Sequence, residues 1–278
     1  MASRVAPIAI PIAIVEAIGQ ITTAAYFRIR KFIVGALASV GEMLRTCYEV
    51  FALFPKALKT PSIIIKQAME LCVASIPLIF VTSIFIGMIS AVSAKYQFRN
   101  MVPLKYLGTS VTKLTLLELG PVLIGLVMSG RIGSSIAAQI ASMKEKEEVD
   151  AYTVLGLDPL RFLAAPRIMV TMVTMPILVI IGCFLAVVGA WAVSVSGLGV
   201  TSYTFLSGTR LFFSNYDIFV CFVKSVVFGL LISLLGYYHG MHSAGGAKGV
   251  GEATMKSVVS SSVMILMFDF LIAFLLLF

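Results

Sequence analysis

The sequence predicts an all-α integral membrane protein with five transmembrane helices, and three observations support this prediction. Of its 278 residues, 59% are hydrophobic and only 12% are charged, whereas soluble chains carry about 25% charged residues. The mean hydropathy is +1.03. The apolar residues also form runs that reach the about 20 residues needed to cross a bilayer. This composition excludes a cytosolic enzyme, a nucleic-acid-binding module and a disordered protein.

Five apolar runs predict the spans of a membrane domain over residues 68–278. The first and third runs contain no charged residue, and the other three carry only one or two. The predicted spans are 71–94, 114–141, 168–196, 218–238 and 257–278.

The first 67 residues follow a different pattern. Within 32–67, apolar residues alternate with Glu42, Arg45 and Glu49 at helical spacing, which predicts an amphipathic helix in the cytoplasmic membrane interface, followed by a linker. Residues 1–31 form an apolar extension that could span, re-enter or be removed. An uncleaved membrane-associated segment is favoured, because the basic region before the apolar part is thin and no clear cleavage site follows.

The basic residues predict the orientation of the spans. If the amphipathic segment is cytoplasmic, the cytoplasmic segments hold 14 of the 21 Lys and Arg residues and the outer loops hold five. Cytoplasmic loops carry the excess of basic residues in membrane proteins. The C-terminus is therefore expected outside, and the net charge of +8 reflects orientation and lipid headgroups, with no nucleic acid as a partner.

The segment 118–167 is the most unusual part of the chain. Its first half is rich in Gly, Ser and Ala, which allow close helix packing within a subunit or along a subunit interface or cavity; both alternatives stay open. The dipeptide Gly120-Pro121 is expected to kink the helix. Over 143–160, the charge run KEKEEVD precedes the more apolar AYTVLGLDP, which indicates a short helix offered to a soluble partner.

The order of these motifs resembles the MlaE family, the permease subunits of bacterial and plastid lipid ABC transporters that work with MCE proteins. The motifs are ELGPV, SGRIGSSIAAQI, the charged turn, LGLDPLRFLAAPR, the Met175-Pro176 pair, VKSVVF and Asp269-Phe270. The resemblance covers about residue 32 to the C-terminus. Leu117 stands where family members can carry arginine.

The resemblance implies a permease that dimerises and passes phospholipid between the bacterial inner membrane and a periplasmic MCE-domain protein. It also implies a separate cytoplasmic ABC ATPase that binds the ATP, and it leaves room for a small STAS-type accessory protein. The sequence lacks a G-x-x-x-x-G-K-[ST] loop, so no cofactor is expected on this chain and the chain itself is not expected to be an enzyme.

The segment 143–160 would correspond to the coupling helix of the family, which docks on the ATPase. The candidate coupling residues are Lys144, Glu145, Lys146, Glu147, Glu148, Asp150, Tyr152, Leu155 and Asp158.

Four ionisable residues within the predicted spans are candidate functional residues, because charges in a bilayer are costly. At about 1.5 Å per residue, Glu118, Lys224 and Asp269 share one layer nearer the outer surface. Lys224 and Asp269 are the natural pair, and exchanging them together is expected to restore function. Glu118 is either a third member of this cluster or a polar group that faces a lipid cavity, and the cavity is favoured because the layer has no surplus cation. Arg131 lies near the inner surface, where it could bind lipid phosphate, an acidic coupling residue or a subunit interface.

Two other functions stay open: an ion-coupled secondary transporter and a membrane-embedded enzyme, each using Glu118, Lys224 and Asp269. The absence of HExxH and GxSxG motifs argues against the enzyme, and the absence of a visible internal repeat argues against the secondary transporter. A metal site is not expected, because His239 and His242 have no further ligands nearby in the sequence and the four cysteines are dispersed.

Overall fold

The computed structural model describes residues 30, 34, 38–55, 61–98 and 102–277. These residues form helices and connecting turns, with no β-strand among them. By their contacts they fall into two units, divided between Tyr48 and Glu49. Apart from Arg30, the predicted extension 1–31 lies outside the described residues, as does 56–60 of the predicted linker. Helix α1 occupies 38–55, and its placement in a membrane interface stays a prediction.

Five helical segments among the described residues are long and apolar enough to cross a membrane: Pro61–Phe98, Lys105–Glu145, Leu160–Ser196, Asn215–Met241 and Gly246–Leu277. The prediction of five spans is confirmed. The observed segments are longer than the predicted runs because amphipathic turns at their ends continue the helices beyond the apolar residues.

Short irregular turns divide these segments into the individual helices. The helices are α2 Pro61–Leu71, α3 Ile76–Phe98, α4 Lys105–Leu114, α5 Gly120–Met128, α6 Ser134–Glu145, α7 Glu148–Val154, α8 Ala165–Ser196, α9 Ser202–Leu211, α10 Asn215–Met241 and α11 Gly246–Leu277. A 3₁₀ turn over Val73–Ser75 joins α2 to α3, and π-helical turns over Thr115–Leu119 and Ser129–Gly133 flank α5. The second of the five segments therefore contains two π-helical irregularities.

Helix α8 is central and packs most extensively against α3 and α10. Glycine makes the close crossing with α3 possible, because a Cβ on Gly87 would lie 1.7 Å from the carbonyl oxygen of Ala186. A Cβ on Gly189 would likewise lie 2.4 Å from the carbonyl oxygen of Ile84. Small residues serve this purpose in membrane helices, where close backbone approach replaces the hydrophobic driving force.

The two ends of the bundle carry different structures. At one end, α4 and α9 pack together, and the region assigned from the sequence to outer loops is therefore largely helical. This contact again depends on glycine, because a Cβ on Gly208 would lie 2.0 Å from the carbonyl oxygen of Lys105. At the other end, α7 lies between α6 and the π-helical turn Leu160–Ala164. We call these the α9 end and the α7 end.

Candidate functional site

Lys224 is the centre of a charged cluster between three of the helical segments. Its side chain is fully buried, and its Nζ lies 2.7 Å from Oδ1 of Asp269 on α11 and 3.1 Å from Oε2 of Glu118. The contact with Asp269 is an ion pair whose angle falls outside hydrogen-bond geometry. Nζ also donates a hydrogen bond to the backbone carbonyl of Leu117, at 2.7 Å.

The local sequence explains why Leu117 needs this donor. In an α-helix the N–H of residue i donates to the carbonyl of residue i−4, so Leu117 would accept from residue 121. That residue is Pro121, which has no N–H. The preceding turn is π-helical, and the Gly120 N–H reaches back to the Thr115 carbonyl. The predicted kink at Gly120-Pro121 thus lies beside a π-helical turn, and the Leu117 carbonyl accepts a hydrogen bond from Lys224.

The two acidic members differ in exposure. The Asp269 side chain is 14% exposed, whereas that of Glu118 is 37% exposed. Two carboxylates around one ammonium leave the cluster with a formal charge of −1, and its open side is Glu118. A group that projects outward from an anchored ion pair can meet a substrate or a second subunit while its partner stays fixed.

The structure brings together the three charges that the sequence places in one layer, and it pairs Lys224 with Asp269 as expected. Of the two alternatives for Glu118, the structure shows the third member of the cluster, because one ammonium serves both carboxylates. The functional role of the three residues stays a prediction. The hydrogen bond from Lys224 to the Leu117 carbonyl was not predicted from the sequence. The available signal was Pro121, which follows Leu117 by four residues and has no N–H.

Arg131 bonds to the break in the first spanning segment. Its Nε donates to Oγ of Ser75 at 2.8 Å, and its terminal nitrogen Nη2 donates to the Ala74 carbonyl at 2.6 Å. Within the described chain, Arg131 makes no ion pair with the 143–160 segment. Its position in the π-helical turn Ser129–Gly133 lets it reach across to the 3₁₀ turn. Arg131 therefore joins two helix irregularities, an arrangement not foreseen from the sequence.

The small residues of the second segment serve mainly internal packing. Gly120, Gly125 and Gly133 are buried, and a Cβ on Gly120 would lie 2.3 Å from Sγ of Cys183 on α8. Gly130 differs, because it is exposed and has open space around it. Of the two alternatives, packing within the subunit accounts for the three buried glycines.

The segment 143–160 contains the expected short helix, α7, at the end opposite α4 and α9. Its apolar tip is exposed. Val154 is 87% exposed and Leu155 is 73% exposed, whereas Val149 is buried. Among the candidate coupling residues, those exposed are Lys144, Glu145, Lys146, Glu147, Glu148, Asp150, Leu155 and Asp158, and Tyr152 is half-buried.

Lys144 has a contact within the chain as well. Its Nζ donates hydrogen bonds to the carbonyls of Met241, at 2.6 Å, and Ser243, at 3.0 Å. These carbonyls lie at the C-terminal end of α10, where a cation is electrostatically favoured. Lys144 thus fixes the turn between α10 and α11, besides any contact that it makes outside the chain.

A series of hydrogen-bonded polar side chains at the α7 end was not predicted from the sequence. Arg167 is only 6% exposed and donates to the Leu163 carbonyl at 2.7 Å and to Oε1 of Gln139 at 3.2 Å. Gln139 in turn donates to Oε1 of Glu70 at 2.7 Å. Arg167 is one of the 14 basic residues that the sequence assigns to cytoplasmic segments. The available signal was its position directly before an uncharged apolar run.

Comparison with known proteins agrees with this architecture. A sequence model of a family described as permease MlaE matches residues 64–275. A probable ABC transporter permease protein of Rickettsia typhi is 38% identical, over 80% of this chain and 89% of its own length.

More distant relatives cover similar shares of the chain. A probable ABC transporter permease protein of Synechocystis is 33% identical, over 72% of this chain and 76% of its own. The intermembrane phospholipid transport system permease protein MlaE of Haemophilus influenzae is 31% identical, over 78% of this chain and 84% of its own. The family match and the five membrane-spanning helices together lead to one conclusion: the chain belongs to the MlaE permease family.

Proposed function

We propose that this chain is the permease subunit of an ATP-driven lipid transporter of the bacterial inner membrane. Two copies would form a cavity that passes phospholipid between the membrane and a periplasmic MCE-domain protein. Family membership supports this proposal, as does the phospholipid transport system to which the Haemophilus influenzae relative belongs by name.

The observation that carries the proposal is the exposed apolar tip of α7. Val154 and Leu155 are largely exposed and follow the charged run that begins at Lys144. Apolar side chains on a charged connection between two spans cannot be buried in lipid if that connection lies in water, and exposed apolar patches rimmed by polar residues mark protein interaction sites. The partner proposed for this tip is a cytoplasmic ABC ATPase, which would bind the ATP; a STAS-type accessory protein would bind elsewhere in the complex.

The orientation follows from the same assignment. If α7 contacts an ATPase, the α7 end is cytoplasmic, and the α9 end and the C-terminus are periplasmic. The excess of basic residues on the α7 side agrees with this orientation. The cluster of Glu118, Lys224 and Asp269 then lies in the outer half of the membrane, and its partly exposed member, Glu118, would face the lipid cavity of the dimer.

The test is reconstitution of the full chain in vesicles with its ATPase and MCE protein, followed by transfer of a fluorescent phospholipid. The proposal predicts transfer that requires ATP and a Leu155→Glu variant that loses both ATPase binding and transfer. The matched control is Lys248→Glu, which adds the same side chain at an exposed position near the same end and is expected to bind the ATPase normally.

Two results would overturn the proposal. Transfer by the chain alone, driven by an ion gradient without ATP, would favour the secondary transporter. Equal ATPase binding by the Leu155→Glu and wild-type chains would remove α7 as the docking element. The oligomeric state of the purified complex tests dimerisation separately.

A further inference from the structure

A polar cavity lies between α2 and α7 at the α7 end. Its volume is about 690 Å³, and its walls include Glu70 of α2, Gln139 of α6 and Tyr152 of α7. Helix α2 packs mainly against α8. Packed interiors transmit strain because they are hard to compress, whereas an open space does not. Any displacement that passes from α7 to α2 must therefore follow the side chains that cross this cavity.

Three hydrogen-bonded side chains cross it. Oε1 of Gln139 accepts a hydrogen bond from Nη2 of Arg167, at 3.2 Å, and Nε2 of Gln139 donates to Oε1 of Glu70, at 2.7 Å. A glutamine amide carries an acceptor and two donors at its end, so Gln139 can join a guanidinium to a carboxylate. These two hydrogen bonds connect the third spanning segment, through the second, to the first.

The cation of this series is connected to α7. Nη1 of Arg167 donates to the carbonyl of Leu163, at 2.7 Å, and Leu163 lies in the π-helical turn that follows α7. The ring of Phe162 in the same turn stacks on Tyr152 of α7, with the ring centroids 6.2 Å apart, a separation at which aromatic pairs attract each other. Because Arg167 is only 6% exposed, its guanidinium has little freedom to turn away when this turn moves.

The carboxylate of the series lies beside the break in the first spanning segment. Glu70 precedes the 3₁₀ turn Val73–Ser75 by three residues. That turn is held by Arg131, which donates to Oγ of Ser75 and to the carbonyl of Ala74. Residues at the ends of helices are the usual hinges of conformational steps. A force on Glu70 therefore acts on α2 next to an anchored point about which α2 can rotate.

We infer that Arg167 and Gln139 are positioning residues of the transport cycle: they transmit a displacement of α7 to Glu70, and α2 pivots at the turn Val73–Ser75. The inference deepens the proposed function and rests on it in one respect, because the force on α7 would come from the proposed ATPase. The series itself belongs to this chain and can be tested without a partner.

The first measurement is hydrogen exchange of α2, residues 61–71, in the full chain in nanodiscs. Tyr152→Ala removes the stacking partner of Phe162 and should accelerate exchange in α2 about threefold, the equivalent of one aromatic pair. In a Gln139→Glu background the series is already broken, so Tyr152→Ala should add nothing. The matched control is Gln97→Glu, the same substitution at an exposed position of the α9 end, and there the effect of Tyr152→Ala should persist in full.

The second measurement is the number of phospholipids transferred per ATP hydrolysed by the complex reconstituted with its ATPase and MCE protein. Gln139→Glu places a carboxylate against that of Glu70 and should lower this ratio about fivefold, the equivalent of one hydrogen bond, while ATPase binding and ATP hydrolysis stay at wild-type levels. Adding Glu70→Gln supplies an amide donor to the new carboxylate and should restore the ratio. A merely structural role would lower binding, hydrolysis and transfer together.

Three results would overturn the inference. The first is additivity of Tyr152→Ala and Gln139→Glu in the exchange of α2. The second is a Glu70→Gln, Gln139→Glu double variant that is coupled no better than Gln139→Glu alone. The third is loss of ATPase binding in Gln139→Glu, because the series would then serve docking. The exchange measurement needs neither ATP nor a partner, so a wild-type complex that transfers no lipid would contradict the proposed function alone.

Discussion

The ammonium of Lys224 donates a hydrogen bond to the backbone carbonyl of Leu117, at 2.7 Å. This contact supplies the donor that Pro121 cannot give, and it holds the same ammonium between two carboxylates. One side chain therefore stabilises a helix irregularity and neutralises buried charge. A helix break and an ion cluster in the same layer of the bundle are parts of a single arrangement.

Replacing Lys224 by Met should destabilise the protein strongly. It would leave the carboxylates of Glu118 and Asp269 without their cation and the Leu117 carbonyl without its donor. Removing one partner of a buried ion pair costs about 3–5 kcal/mol. Thermal unfolding of the purified chain should show this loss, whereas Lys248→Met, at an exposed position, should unfold near the wild-type temperature.

Exchanging Lys224 and Asp269 should fail to restore function. From the sequence alone the pair is expected to survive the exchange, but the structure shows two further acceptors at position 224. In the exchanged protein an aspartate would face Glu118 and could not donate to the Leu117 carbonyl. Lipid transfer by the double variant should stay close to that of the single variants. Recovery to the wild-type rate would show that the contacts of Lys224 with Glu118 and with the Leu117 carbonyl are dispensable.

Replacing Pro121 by Ala should partly rescue the Lys224→Met variant. Alanine supplies an N–H at the position from which an α-helix donates to Leu117. A hydrogen bond of this kind contributes about 0.5–1.5 kcal/mol, so the double variant should be more stable than Lys224→Met by about that amount. A double-mutant cycle measures the coupling. Strict additivity of the two changes would argue against the missing donor as the reason for the Lys224 contact.

Replacing Gly87 by Ala should separate α3 from α8. The added Cβ would lie 1.7 Å from the Ala186 carbonyl oxygen, and this contact involves backbone that cannot rotate away. Overpacking typically costs about 1–3 kcal/mol, and the loss should appear as a lower unfolding temperature. The matched control is Gly251→Ala on α11, where nothing lies within 4 Å of the added Cβ; this variant should be as stable as wild type or slightly more so.

Replacing Lys144 by Ala should loosen the turn between α10 and α11. The carbonyls of Met241 and Ser243 would lose their donor, and hydrogen exchange in residues 241–246 of the isolated chain should become faster. Lys146→Ala is the control, because Lys146 is exposed and makes no such contact among the described residues. Unchanged exchange in Lys144→Ala would leave ATPase docking as the only role to test for this residue.

The sequence by itself determined the membrane class, the five spans, the family and the layer shared by Glu118, Lys224 and Asp269. Each of these depends on local patterns: run length, charge position, motif order and the fixed rise of a helix. Pairing of Lys224 with Asp269 could be anticipated for the same reason, since two opposite charges in one apolar layer have few other partners.

Only the tertiary structure decided which atoms meet. The Leu117 carbonyl, the contacts of Arg131 with Ala74 and Ser75, and the buried Arg167 depend on how helices cross. Crossing is set by glycines such as Gly87, whose effect appears only when the opposing backbone is in place. The series from Arg167 through Gln139 to Glu70 likewise exists only where three spanning segments converge, because its residues are far apart in the sequence.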